Sequence, residues 1–93
     1  MYEWDEAKRE ANLRKHGLDF WAAHLVYESP EKLTTRLKSE QEARFLDVAL
    51  VELKGAILAL VYTIRNGNVR FISFRFASRK ERRRYAAAKT RYD

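Results

Sequence analysis

Ala56-Ile57-Leu58-Ala59-Leu60-Val61-Tyr62-Thr63-Ile64-Arg65-Asn66-Gly67-Asn68-Val69-Arg70-Phe71-Ile72-Ser73-Phe74-Arg75-Phe76 is the stretch that decides the fold. Residues 56–64 are almost continuously apolar, the pattern of a central strand buried on both faces. Asn66-Gly67 is the strongest short hairpin signal, because both residues accept the positive φ of a type I′ turn. Residues 69–76 then form the returning strand. A two-residue turn pairs Arg65 with Asn68 and, in unbroken register, Leu58 with Arg75, which puts Arg65 and Arg75 on opposite faces. A turn with a glycine bulge moves Arg65 into the loop instead. Arg75 and Arg79 therefore rank above Arg65 as functional candidates.

Working outward toward the N-terminus, residues 45–53 form a second apolar run, separated from the central strand by Lys54-Gly55, and Leu33–Leu37 alternates weakly as an edge strand. Before them, Ser29-Pro30 stops a helix capped by Asp19 in which Leu18, Ala22, Leu25 and Val26 recur at helical spacing. Residues 5–16 predict an earlier helix with Asp5 as N-cap, Glu6 in its first turn and Gly17 at the left-handed C′ position. Its apolar stripe (Ala7, Ala11, Leu13) is thin, which places it on the surface. Residues 2–4 suit a short strand. On the other side, Ser78-Arg79-Lys80-Glu81 fits a capping box opening a last helix, with Glu81, Tyr85, Ala88 and Tyr92 on one side. That narrow apolar face predicts a weakly held helix. The expected architecture is α+β over residues 1–93 as a single domain. It has an antiparallel sheet of about four strands, two N-terminal helices and one C-terminal helix, grouped on one face.

The 93 residues allow one modest core, and 46% hydrophobic with 34% charged residues describes a folded domain. No run approaches a membrane span, and the start of the chain lacks the basic and apolar regions of a signal peptide. Without cysteine there is neither a disulfide framework nor a thiolate site. These features point to a cytoplasmic protein. The net charge of +6 is unevenly spread: residues 65–93 carry ten Lys/Arg against Glu81 and Asp93, while residues 1–64 carry nine basic and eleven acidic groups. Concentrated basic charge favours a polyanion, since each phosphate contact releases condensed counterions. A helix N-terminus beside Arg75, Arg79 and Lys80 is also suited to a phosphate.

The chain resembles the BrnT-type toxins, ribonucleases of type II toxin–antitoxin systems with a RelE-like fold. Glu3-Trp4-Asp5, then Asn12-x-x-Lys15-His16-Gly17 and Phe20, is similar to the family's first block. Glu42-x-Arg44-Phe45 and Val61-Tyr62-Thr63 resemble its middle, and Ile72-Ser73-x-Arg75-x-Ala77-Ser78-Arg79-Lys80-Glu81-Arg82 its close. Lys38 stands before Ser39 where members often have histidine, and Ala49 where glycine is common. The resemblance implies metal-independent RNA cleavage with no cofactor. It also implies neutralisation by a cognate BrnA-like antitoxin carrying a DNA-binding domain, in a hetero-oligomer.

Such cleavage needs cations around a phosphorane, a group to take the 2′ proton and a donor to the leaving 5′ oxygen. Arg65, Arg75 and Arg79 are the arginine candidates, because a guanidinium fork pairs two oxygens at once. Arg83 and Arg84 read as solvated charge. His16 is the candidate for proton transfer, at a helix C-terminus whose dipole favours its charged form, with a simple capping role as the alternative. Lys15, Lys80 and Arg82 are candidate RNA contacts, and His24 reads as a packed or surface histidine. The two separated histidines do not make a metal site. Trp4, Trp21, Phe71, Phe74 and Phe76 suit either base stacking or the core, and a small domain needs them in its core. Besides a ribonuclease, the same charge suits a non-catalytic nucleic-acid-binding module or a subunit that only docks an acidic antitoxin segment. In every reading that involves RNA, binding weakens steeply with salt. The expected log–log slope is about 0.7 per phosphate neutralised on a single strand, measurable by titrating a labelled oligonucleotide at several salt concentrations. A flat response between low and moderate salt excludes polyanion binding.

Overall fold

A computed structural model describes residues 1–90. Five strands lie in the order β1-β5-β4-β3-β2. They are β1 (Tyr2–Glu3), β2 (Leu33–Leu37), β3 (Arg44–Val51), β4 (Ala56–Arg65) and β5 (Asn68–Phe76). β2 to β5 form an antiparallel meander, and the two residues of β1 pair in parallel with Val69 and Arg70 of β5. Helix α1 spans Glu6–His16, with the Asp5 side chain accepting from the Ala7 and Lys8 amides and Gly17 left-handed at its end. The second helix is shorter than its apolar spacing suggested: a 3-10 turn, Phe20–Ala22, leads into a single turn, α2 (His24–Tyr27). α3 spans Arg79–Thr90. Tyr92, read as part of its apolar side, lies outside the described residues.

The hairpin turn is the two-residue one, with Asn66 at φ 53° and Gly67 at φ 79° and with Arg65 opposite Asn68. The register does not run on unbroken from there. Tyr62 pairs with Phe71 but Val61 pairs with Ser73, so Ile72 is an extra residue in β5. Beyond this bulge Arg75 faces Ala59, and Leu58 faces Phe76 where unbroken register had placed Arg75. Because side chains alternate along β4 and cross-strand partners share a face, Arg65 and Arg75 lie on the same face after all.

The two faces of the sheet carry different elements. Tyr62, Leu60 and Leu58 look toward α1 and α2, where Tyr27 meets Tyr62 edge-on at 5.1 Å and Phe71 packs between Tyr2, Trp4 and Phe20. On this side Asp47 is fully buried, accepting from Thr34 and Tyr62 while its other oxygen faces the Lys32 ammonium at 2.8 Å. That ammonium also lies over the Tyr27 ring. Ala59, Val48 and Arg75 point the opposite way, and there Arg75 holds Glu81 of α3. The helices are thus divided between the faces, not grouped on one. α3 also makes contacts beyond its narrow apolar side, Glu81 with Arg75 and Lys89 with Glu31. Two aromatics read as core are not: Trp21 and Phe76 are exposed, whereas Phe20 is fully buried.

β1 covers only the first two rungs of β5, which leaves the rest of that edge to another partner. Asn12 supplies it. Its side-chain amide donates to the Phe74 carbonyl at 2.7 Å and to the Leu18 carbonyl at 3.0 Å, and its oxygen accepts from the Phe74 amide at 3.0 Å. Asn12 is the one buried residue of α1, so this helix docks through a polar side chain that imitates a strand. Asn12→Ala leaves the buried Phe74 N–H and C=O and the Leu18 C=O without partners. It is expected to lower unfolding free energy by about 3 kcal/mol, read as a reduced urea midpoint. A loss within a few tenths of a kcal/mol means water replaces the amide.

Candidate functional site

His16 lies one turn beyond Asn12 on the same side of α1, because residues four apart share a helix face. Since Asn12 is fixed to Phe74, this brings the His16 ring toward Arg75, whose charge it senses. The ring is half-buried. Burial first, then the charges of Lys15 and Arg75, push its pKa below the ordinary histidine value. The helix dipole alone led to the opposite expectation; lost hydration and two nearby cations act against the charged form. His16 is therefore neutral at neutral pH.

Arg75 leaves β5 on the α3 face and meets Glu81 there. Its Nη1 donates to Glu81 Oε1 at 2.7 Å and its Nη2 to Oε2 at 2.9 Å, while Nη1 also donates to the Phe76 carbonyl at 3.3 Å. The capping box forms as the sequence implied, with the Glu81 amide donating to Ser78 Oγ and the Ser78 amide donating to Glu81 Oε1. One carboxylate thus serves the helix end and the arginine together. Arg75 first, and then the Ser78 backbone, draw its pKa down to about 2 against the cost of burial, while Glu81 raises that of Arg75.

Arg79 and Lys80 occupy the first turn of α3, exposed and with no side-chain hydrogen bond or ion pair among the described residues. Arg82 is exposed as a residue, but its guanidinium donates to the Ala77 carbonyl at 2.7 Å. Lys15 is exposed next to His16. His16, Lys15, Arg75 and the start of α3 are therefore brought to one corner of the molecule. Arg65 is not. It sits at the hairpin end, paired with Glu42 at 3.0 Å. It lies six residues along β4 from Ala59, the partner of Arg75, which is about 20 Å of strand. His24 belongs to a different place, with Nδ1 3.0 Å from the Trp21 carbonyl in a cleft lined by Tyr2, Trp4 and Trp21. Among the described residues no three His, Asp or Glu side chains gather as a candidate metal centre. Sequence reading saw Glu81 only as a cap and Asn12 only as part of a motif. The spacing that brings Glu81 to Arg75 becomes visible once α3 is known to fold back onto the β5 face.

A family model described as ribonuclease toxin, BrnT, of type II toxin-antitoxin system matches residues 4–81. The chain belongs to the BrnT family. The matched span includes Asn12, His16, Arg75 and Glu81, and so takes in both sides of the corner and the amide that joins them. This BrnT protein has the family's expected α+β sheet, with a fifth strand added by β1. Comparison with curated proteins returns no match. No helix among the described residues is long and apolar enough to cross a membrane.

The depressed Glu81 pKa makes part of the stability of this BrnT chain depend on acid. A carboxyl whose folded pKa lies below its unfolded value stabilises the fold fully above the unfolded value of 4.5 and loses that contribution as pH falls toward about 2. Chemical denaturation between pH 5 and pH 2.5 should show the loss, and Arg75→Ala should shallow it. An identical slope in the variant means other carboxylates dominate acid unfolding.

Proposed function

We propose that this chain is the toxin of a type II toxin–antitoxin pair and cleaves RNA at the corner formed by His16, Arg75 and the start of α3. The observation that carries the proposal is a histidine kept neutral beside a strand arginine that is itself held by a carboxylate. A neutral imidazole is the form that takes a proton, so His16 is the general base for the 2′-hydroxyl. The 2′ oxygen attacks the adjacent phosphorus, the bond to the 5′ oxygen breaks, and that oxygen leaves as a hydroxyl after protonation from solvent. The other product ends in a 2′,3′-cyclic phosphate. Negative charge gathers on the non-bridging oxygens during the step, and Arg75 with Arg79 stands where such charge is stabilised. Lys15, Lys80 and Arg82 extend the cationic surface along the strand of RNA. Arg65, distant and paired with Glu42, has no part in the chemical step and contributes only to the general basic field.

The cognate antitoxin in this reading is a BrnA-like protein with a DNA-binding domain. It covers the stretch from Arg75 to Arg84 with acidic and apolar residues and forms a hetero-oligomer with the toxin. Such a surface associates quickly through complementary charge and is released slowly once the aromatics are buried.

Cleavage of an RNA oligonucleotide in EDTA tests the proposal. The rate should rise with pH as His16 loses its proton and level off with a midpoint below 6.5, the ordinary histidine value. His16→Ala should slow it by about 10²-fold or more. Arg75→Ala should cost about 10²–10³-fold and relieve growth arrest in a bacterium lacking the antitoxin, with an unchanged circular dichroism spectrum. Binding without cleavage by the wild-type protein would favour the non-catalytic nucleic-acid module.

A further inference from the structure

We infer that Glu81 is a positioning residue for cleavage: it fixes the Arg75 guanidinium so that a second, unused fork of donors is presented to the substrate phosphate. This deepens the proposal that Arg75 stabilises the transition state and rests on it. A guanidinium has five N–H donors. Three are occupied here, two from Nη1 (to Glu81 and the Phe76 carbonyl) and one from Nη2 (to Glu81). The two left are Nε–H and the second hydrogen of Nη2. Nη2 is by definition the nitrogen on the Nε–H side, so these two donors lie parallel and adjacent, the arrangement that matches two phosphoryl oxygens. Arg75 has no further partner among the described residues.

Without Glu81 the same side chain has several rotatable bonds and no reason to aim that fork in one direction. The grip is firm because the carboxylate is itself held. Glu81 sits in the first turn of α3, and its Oε1 also accepts from the Ser78 backbone amide at 2.8 Å, a bond that does not involve the Ser78 hydroxyl. It stays ionised throughout the range in which RNA cleavage is measured. The guanidinium that Glu81 holds also acts on His16. Lys15 on the same helix and Arg75 on β5 are the charged groups that act on the ring, both disfavouring its protonated form. Glu81 offsets the charge of Arg75, so its removal leaves His16 facing an uncompensated cation.

The test compares Glu81→Ala, Glu81→Gln, Ser78→Ala and Arg75→Ala in single-turnover cleavage of an RNA oligonucleotide by the full chain. The His16 C2–H resonance is followed against pH in each. Glu81→Ala should lower the cleavage rate constant by about 10²-fold, the scale of a group displaced by an ångström, with KM little changed. Its His16 midpoint should move to lower pH. Glu81→Gln retains the shape and part of the cap but not the charge. It should show the same midpoint shift with a smaller loss of rate, and it carries the test if the alanine variant does not fold. Ser78→Ala removes the hydroxyl cap alone. It should melt earlier than wild type yet keep the rate and the midpoint. If Glu81 variants behave as Ser78→Ala does while Arg75→Ala is inactive, Glu81 is a cap only and the inference is wrong. If Arg75→Ala cleaves at the wild-type rate, the catalytic reading of Arg75 falls, and the positioning role with it.

Discussion

Where β1 ends, the amide of Asn12 takes over the pairing of β5, and most of what is particular to this molecule depends on that substitution of a side chain for a strand. Buried backbone groups on a sheet edge must find partners, and a helix has none to offer from its own backbone. A side-chain amide presents its oxygen and one of its two N–H donors side by side, so it can close a single rung. The third bond, to the Leu18 carbonyl, ties the chain leaving α1 to the same point. α1 can therefore remain almost entirely polar on its surface and still be fixed in position. His16 inherits its place from that fixation.

Polarity inside the fold is handled by the same economy elsewhere. Asp47 lies in the middle of β3 without exposure, and Lys32, Thr34 and Tyr62 meet its oxygens from three directions. Burial and Asp47 raise the pKa of Tyr62 well above that of a free phenol, so it remains a donor. A buried pair of this kind contributes little net stability over a well-packed apolar pair, but breaking it strands a charge. Its effect is to join the start of β2 to β3 in one register, because no other residue of β3 offers the Lys32 ammonium a carboxylate.

Much of this was legible beforehand. The long apolar run of β4, the Asn-Gly turn, Asp5 and Gly17 at the ends of α1 and the Ser78–Glu81 box all rest on local chemistry, and local chemistry is written in consecutive residues. The basic corner was legible too, since Arg75, Arg79 and Lys80 are near in sequence. What escaped is what arises between distant segments. Nothing in the first turn of α3 says that its capping carboxylate will meet a strand arginine, and nothing in a polar helix announces that Asn12 will be buried. The direction of the His16 shift escaped for the same reason: the dipole of its own helix is visible in sequence, while the burial of its ring and the approach of Arg75 from another element are not. One signal was present and passed over. The apolar alternation of β5 changes phase, from Val69 and Phe71 to Phe74 and Phe76, which is how a bulge looks in sequence.

Counted in rungs, β5 has one letter more than β4 has places to read it, and the bulge absorbs the surplus at Ile72. Had all residues been paired in turn, Phe74 would have come out on the α3 side and Arg75 would have been driven into the apolar layer beneath α1. The position of the arginine is thus a matter of parity. Parity treats length changes unequally: a chain lacking Ile72 or Ser73 needs no bulge and keeps both halves of the strand in phase. A chain with one residue more at this point must accommodate a second surplus or turn Arg75 away from Glu81. At this place in the sheet, shortening is tolerated and lengthening is not.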